Sequence, residues 1–200
     1  MNFDKGEFYH VYNRGNNQQI IFFTERNYFF FLKKTREQLL PVADIIAYCL
    51  MPNHFHFLLR ATEDGLKERE SFGGKSMQQL AYRIGILLSS YSQAINKQNN
   101  TTGSLFQQKT KAKILSEVND GSRTSYFEQC FHYIHQNPAV AGIVKDVSEW
   151  TYSSYPDYIG QRNGTLCGEE IFYSLTGLKA EDIKNKTIEK IDEKILDKLF

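Results

Sequence analysis

The run Ala47-Tyr48-Cys49-Leu50-Met51-Pro52-Asn53-His54-Phe55-His56-Phe57-Leu58-Leu59 leaves the chain few ways to fold. Apolar stretches of strand length flank Pro52-Asn53. Proline fixes φ and lacks a donor, and asparagine tolerates turn conformations, so this dipeptide reads as the turn of a β-hairpin. The pattern predicts strands over residues 43–50 and 54–60. Side chains alternate between the faces of a strand, so His54 and His56 emerge on one face, about 7 Å apart along it. Two imidazoles so placed are a platform for one metal ion. Taken alone, the pattern also fits two half-buried histidines with no ligand.

Around this hairpin the periodicities give a β-α-β-β-α-β order. Residues 8–13 read as a first strand, closed by Arg14-Gly15-Asn16-Asn17, and Thr24 is the expected N-cap of a helix over 25–40 that stops at Pro41. Residues 61–75 are charged, carry three glycines and read as a mobile loop. A second helix is expected after Gly73-Gly74-Lys75 with Ser76 as its cap. Its apolar stripe comprises Met77, Leu80, Ala81, Ile84, Leu87, Leu88, Tyr91 and Ile95. A strand over 109–115 and a helix over 124–136 follow. This order predicts an α+β architecture: a ferredoxin-like antiparallel sheet with helices on one face. The stripe makes Tyr91 a core residue near a helix end. If its helix crosses the face carrying His54 and His56, the hydroxyl and an ion can bracket one phosphate.

Six blocks in order carry a family resemblance. They are Tyr9-His10-Val11-Tyr12-Asn13-Arg14-Gly15-Asn16, Tyr48-Cys49-Leu50-Met51-Pro52-Asn53-His54-Phe55-His56, Tyr91-Ser92-Gln93-Ala94-Ile95-Asn96-Lys97, Gly103-Ser104-Leu105-Phe106-Gln107, Tyr133-Ile134-His135-Gln136-Asn137-Pro138 running into Ala141-Gly142-Ile143-Val144, and Trp150-Thr151-Tyr152-Ser153-Ser154-Tyr155. With these the chain resembles the single-tyrosine transposases of the HUH endonuclease superfamily, and among them the REP-associated tyrosine transposases. The blocks span about three quarters of the chain, residues 8–155; residues 161–200 read as a helical C-terminal extension to a domain over 1–160.

The resemblance implies a metal-dependent enzyme that nicks and rejoins single-stranded, hairpin-containing DNA through a 5′-phosphotyrosine link. It assigns the nucleophile to Tyr91 and the metal, Mg²⁺ or Mn²⁺, to His54 and His56. In insertion-sequence relatives a glutamine one helical turn after the tyrosine completes the metal site. Here that position is Ile95, which cannot ligate, so Asn96 is taken as the third ligand, with Gln93 or a water as alternatives. A tyrosine nucleophile keeps the broken strand covalently bound, so a free 3′-hydroxyl can reverse the step without ATP. Two rivals remain: a non-catalytic nucleic-acid-binding relative, and a metal-dependent phosphodiester hydrolase in which water attacks and Tyr91 is only core.

Charge gives no general signature of a DNA binder. Net charge is +1; residues 161–200 hold 7 Lys and Arg against 8 Asp and Glu, which leaves 17 against 15 for residues 1–160. A DNA surface must therefore be a local patch. Lys109, Lys111 and Lys113 would share one strand face, and Arg14, Asn16 and Asn17 could add phosphate contacts; lysines that protect a sheet edge from pairing are the competing explanation. Cys49, Cys130 and Cys167 are scattered and odd in number, which suits reduced thiols. No leader or bilayer-length apolar run is evident, so a cytoplasmic monomer or homodimer is expected. His132 and His135, at i and i+3, have a metal-ligand spacing but read as structural, His135 at a helix end before Asn137-Pro138. His10 lies in the first strand, where Tyr9 and Tyr12 read as sheet packing, and Trp150 reads as a core anchor. In the extension, Ile171-Phe172-Tyr173-Ser174-Leu175 precedes an amphipathic stretch from Ala180 with Ile183, Ile188, Ile191, Ile195 and Leu199 inward; a partner-binding helix is the alternative.

Overall fold

The computed structural model describes residues 1–70, 74, 76–115 and 123–189, without the side chains of 123–125. The chain begins with β1 (Phe8–Arg14), α1 (Glu25–Leu39), β2 (Ala43–Met51) and β3 (His54–Ala61). A single turn α2 (Glu63–Leu66) and a small hairpin, β4 (Glu68–Glu70) and β5 (Ser76–Gln78), lead into the long α3 (Gln79–Asn99). Then come β6 (Lys111–Ile114), α4 (Arg123–Val140), α5 (Tyr155–Tyr158), α6 (Glu169–Thr176) and α7 (Ala180–Ile188). The main sheet has the order β2-β3-β1-β6, antiparallel throughout. This is the ferredoxin-like α+β arrangement expected from the order of elements.

Alternation along β3 decides what each face of the sheet does. Phe55, Phe57 and Leu59 join Tyr9, Val11, Tyr48 and Leu50 in a cluster under α1 and α3, together with Phe31, Leu80, Ile84, Leu87, Tyr91 and Ile95. His54, His56 and Leu58 alternate with these and so face the other way, where Leu58, Cys49 and Met51 meet Phe127, Cys130, Phe131 and Ile134 of α4. A bulge between Ile45 and Ala47 in β2 shifts its register against β3 and keeps the α4 face of β2 apolar. Each large side chain so buried contributes about 1.5–3 kcal/mol, and both clusters are rich in them.

The first helix begins as the sequence suggests: the Asn27 carboxamide oxygen accepts from the N–H groups of Phe23 and Thr24. Other expectations are corrected. Ser76 does not cap a helix but pairs with Glu70 in the β4–β5 hairpin, and α3 starts at Gln79. The lysine strand is short, so Lys109 lies outside it. The helix near Pro138 does not stop before it: α4 carries Pro138 in its last turn and ends at Val140. The returning chain lies along β2, where Tyr48 N–H bonds Ser154 Oγ, Leu50 N–H bonds the Tyr152 carbonyl and the Trp150 indole N–H donates to the Leu50 carbonyl. Phe172 and Ile183 bury against the α4 cluster, while Ile188 is 78% exposed. The expected inward positions Ile191, Ile195 and Leu199 lie outside the described residues.

Candidate active site on the α4 face of the sheet

His54 opens β3 immediately after the Pro52-Asn53 turn, and that turn is held from the side by the first loop. Gly15 N–H donates to the Asn53 carbonyl at 2.7 Å. A Cβ at Gly15 would sit 2.0 Å from the Gln19 carbonyl oxygen, so only glycine fits there. The Gly103–Gln107 segment closes on the same loop, with Asn16 N–H bonding the Leu105 carbonyl and Gln107 N–H bonding the Arg14 carbonyl. The sequence blocks at 9–16, 48–56 and 103–107 thus converge at one end of the sheet.

Both histidines have Nδ1 engaged by the protein. His54 Nδ1 lies 2.6 Å from Asn53 Oδ1; a carboxamide oxygen only accepts, so His54 carries its proton on Nδ1. His56 Nδ1 lies 2.9 Å from Nε2 of His10, and the two rings stack with centroids 5.0 Å apart. The His54 and His56 rings are edge-on at 4.9 Å. His56 is 2% exposed, and its Nε2 is buried with no hydrogen-bond partner. A buried imidazole nitrogen with no partner beside a second imidazole is compatible with a metal-ligand position; His132 Nε2 and His135 Nδ1 are also buried without a partner, so the orphan nitrogen does not by itself mark a site.

Electrostatics keep these rings neutral. Burial, reinforced by the Arg14 guanidinium and opposed by a hydrogen bond with the Asn137 side chain, brings His54 down to about 4. Burial, His10, His54 and Arg14 hold His56 well below the ordinary histidine value. Lone pairs are therefore available at neutral pH without proton loss.

α4 lies across this pair. Tyr133 presents its edge to the His56 and His10 rings at 5.7 and 6.0 Å, and its hydroxyl donates to Asn137 Oδ1 at 3.2 Å. Asn137 Nδ2 donates to the Tyr133 carbonyl, so the carboxamide one turn on is fixed. Tyr133 is only partly buried, and burial raises its hydroxyl pKa while Asn137 lowers it. Among the described residues, no group of three His, Cys, Asp or Glu side chains could hold a metal ion. A third protein donor at this site would be the Asn137 carboxamide.

Tyr91 is elsewhere. Its helix packs on the opposite face of the sheet from His54 and His56; the residue is 0% exposed, donates to the Ile21 carbonyl at 2.7 Å and meets the Phe31 ring edge-on. The expectation that its helix crosses the histidine face is corrected. The cause is parity: α3 covers the Phe55 and Phe57 side of β3. Asn96 is on the same helix, which packs on the face opposite the histidines, and its Nδ2 donates to the Gly103 carbonyl while Oδ1 accepts from Thr101, closing the turn after α3. Gln93 is on α3 too, away from the histidines.

The expected DNA contacts fare differently. Arg14 pairs with His54 across β1 and β3, while Lys111 and Lys113 pair with Tyr12 and His10 across β1 and β6, so all three point to the histidine face. Arg14 and Lys111 are exposed and Lys113 is half-buried. Lys109 is exposed in a loop and Asn16 is exposed at the start of a 3-10 turn (Asn16–Gln18). Asn17 follows in that turn with φ of 50°.

Sequence reasoning did not bring Tyr133, Asn137 or His10 together with the two histidines. A signal was present, because the tyrosine-then-amide spacing of the transposases that the chain resembles, broken at Tyr91 by Ile95, is met by Tyr133 and Asn137. His132 and His135 point away from the site. His132 Nδ1 contacts Thr187 Oγ1 at 2.7 Å and His135 Nε2 contacts Ser154 Oγ at 2.8 Å, which fits their structural reading. No helix among the described residues is long and apolar enough to cross a membrane.

No protein-family profile and no curated protein sequence matches this chain. Among solved structures, it is similar to a REP-associated tyrosine transposase bound to a REP hairpin, with a TM-score of 0.55 and 17% sequence identity over 80% of this chain and 84% of that one. At that identity the likeness establishes a shared fold.

Proposed function

We propose that on this fold the chain is a tyrosine transposase that nicks and rejoins hairpin-bearing single-stranded DNA, with Tyr133 as its nucleophile. The observation that carries this reading is one cluster: a partly exposed tyrosine over two histidines, with a carboxamide one turn on. His54 and His56 through Nε2, and Asn137 through Oδ1, would hold a divalent ion, Mg²⁺ or Mn²⁺. Such an ion, when bound, supplies Lewis-acid polarisation of a phosphoryl oxygen. The chain's own residues do the rest. Arg14, Lys111 and Lys113 draw the phosphates to this face, and Asn137 aims the Tyr133 hydroxyl. The Tyr133 oxygen bonds to phosphorus, the bond to the 3′-oxygen breaks, and the phenol proton is released as a 3′-hydroxyl forms. The 5′ end stays on the protein, so the step can reverse.

The hairpin substrate rests on the similar transposase, which is bound to a REP hairpin. The Tyr91 nucleophile and Asn96 ligand are replaced by Tyr133 and Asn137; His54 and His56 are kept. The test is a covalent adduct. Full-length protein with Mn²⁺ and a hairpin-containing single strand should give a species that survives denaturing electrophoresis, lost in Tyr133→Phe and kept in Tyr91→Phe. Loss in Tyr91→Phe alone would restore the first assignment, and cleavage by wild type without any adduct would make water the nucleophile.

A further inference from the structure

His10 is 0% exposed, and its ring stacks on that of His56. The 2.9 Å contact between His10 Nε2 and His56 Nδ1 holds one proton, and two arrangements are possible. If His10 donates, His56 must carry its own proton on Nε2, where the structure gives it no hydrogen-bond partner in a fully buried position. An unmet buried N–H costs about 1–3 kcal/mol. If His56 donates from Nδ1, Nε2 is left as a bare lone pair, the form a metal needs. Either arrangement leaves Nε2 without a hydrogen-bond partner in the metal-free protein; the second alone leaves it able to take an ion.

We infer that His10 is a positioning residue that accepts the Nδ1 proton of His56, fixing its tautomer and ring plane so that Nε2 faces the space between His54, Asn137 and Tyr133. This deepens the function proposed above and rests on it. It also gives a reason for an imidazole inside a sheet: β1 sets His10 opposite Leu58, two pairs along from Tyr12 and His56, so the His10 ring reaches the diagonal neighbour on the same face. Asn53 Oδ1 holds Nδ1 of His54 in the same way. Both histidines then present Nε2, each held by a different partner.

Two measurements on the full chain test this. Long-range ¹⁵N–¹H correlation spectra of the metal-free protein read the tautomer directly; His56 should be protonated on Nδ1, and finding it on Nε2 overturns the inference whatever the variants do. Mn²⁺ titration, followed by the paramagnetic resonance signal of the free ion, reads the site without DNA. His10→Ala should weaken Mn²⁺ binding by about 10- to 100-fold. His10→Gln, whose Oε1 can take the place of Nε2 as acceptor, should bind nearly as wild type. Unchanged affinity in folded His10→Ala overturns the inference alone, as does equal weakening in the Gln and Ala variants. Unchanged affinity in His54→Ala overturns the metal site itself, and the positioning role falls with it.

Discussion

The Tyr133 hydroxyl donates to the side chain of Asn137 one helical turn later, and Asn137 returns a bond to the Tyr133 carbonyl, so the two residues form a closed unit on α4. That unit sits over His54 and His56 because α4 packs on the histidine face of the sheet. α4 is itself pinned from behind: Gln136 donates to the carbonyls of Thr187 and Glu189, and Lys186 bonds Glu128.

On the proposed metal site, Asn137→Ala should lower Mn²⁺ affinity by about tenfold or more, because it would remove the proposed third donor together with the hydrogen bond that fixes the Tyr133 hydroxyl. His54→Ala should do the same with little loss of stability, since His54 is only partly buried. Isothermal titration with Mn²⁺ checks both, and affinities equal to wild type would remove these residues from the site.

Tyr91→Phe should destabilise the fold by about 1–2 kcal/mol, because the ring stays among its apolar neighbours while the Ile21 carbonyl loses a buried donor. Urea unfolding of the variant measures this. A variant as stable as wild type would mean that water replaces the missing hydroxyl.

Stability of the metal-free protein should fall on acidification. His54 is held to about 4 when folded, by burial and Arg14, against about 6.5 when unfolded. The unfolded chain binds the proton first as pH drops, so the stability is complete above about pH 6.5 and is lost as pH falls through the folded value, at up to about 1.4 kcal/mol per pH unit for each such histidine. His56 and His135 shift in the same direction through burial. Unfolding free energies at neutral and mildly acidic pH should show this slope, shallower in His54→Gln; a flat profile would mean the rings are solvated.

Replacing Arg14, Lys111 and Lys113 by Gln should weaken single-stranded DNA binding and reduce the salt slope by about 0.7 for each phosphate left without its cation. Lys109→Gln tests whether the loop lysine joins them. Fluorescence anisotropy across a salt series reads both, and an unchanged slope for the triple variant would remove Arg14 from the DNA surface and assign the two lysines to protecting the β6 edge.

Much of this was legible in the chain. Alternation placed His54 and His56 on one face, Pro52-Asn53 located the turn, and the stripe on α3 identified Leu80, Ile84, Leu87, Tyr91 and Ile95 as core. What the sequence could not say was which helix covers which face. Both sides of β3 are apolar beyond the two histidines, Phe55 and Phe57 on one and Leu58 on the other, so periodicity offers α3 and α4 equal claims. Pro138 compounded the error, since proline reads as a helix stop and Asn137 then looks like a loop residue. The His10 contact joins residues 46 apart in the chain, which only the strand register reveals.

β3 holds the candidate site and the aromatic core in alternate residues, His54 and His56 against Phe55 and Phe57. Adding or deleting one residue in the two-residue turn before it would exchange the two sets, sending imidazoles into the aromatic core and phenylalanines into the site. Substitutions at single positions can adjust either property separately, but a change of length damages both at once. Descendants of this hairpin are therefore free to vary in composition and constrained in length.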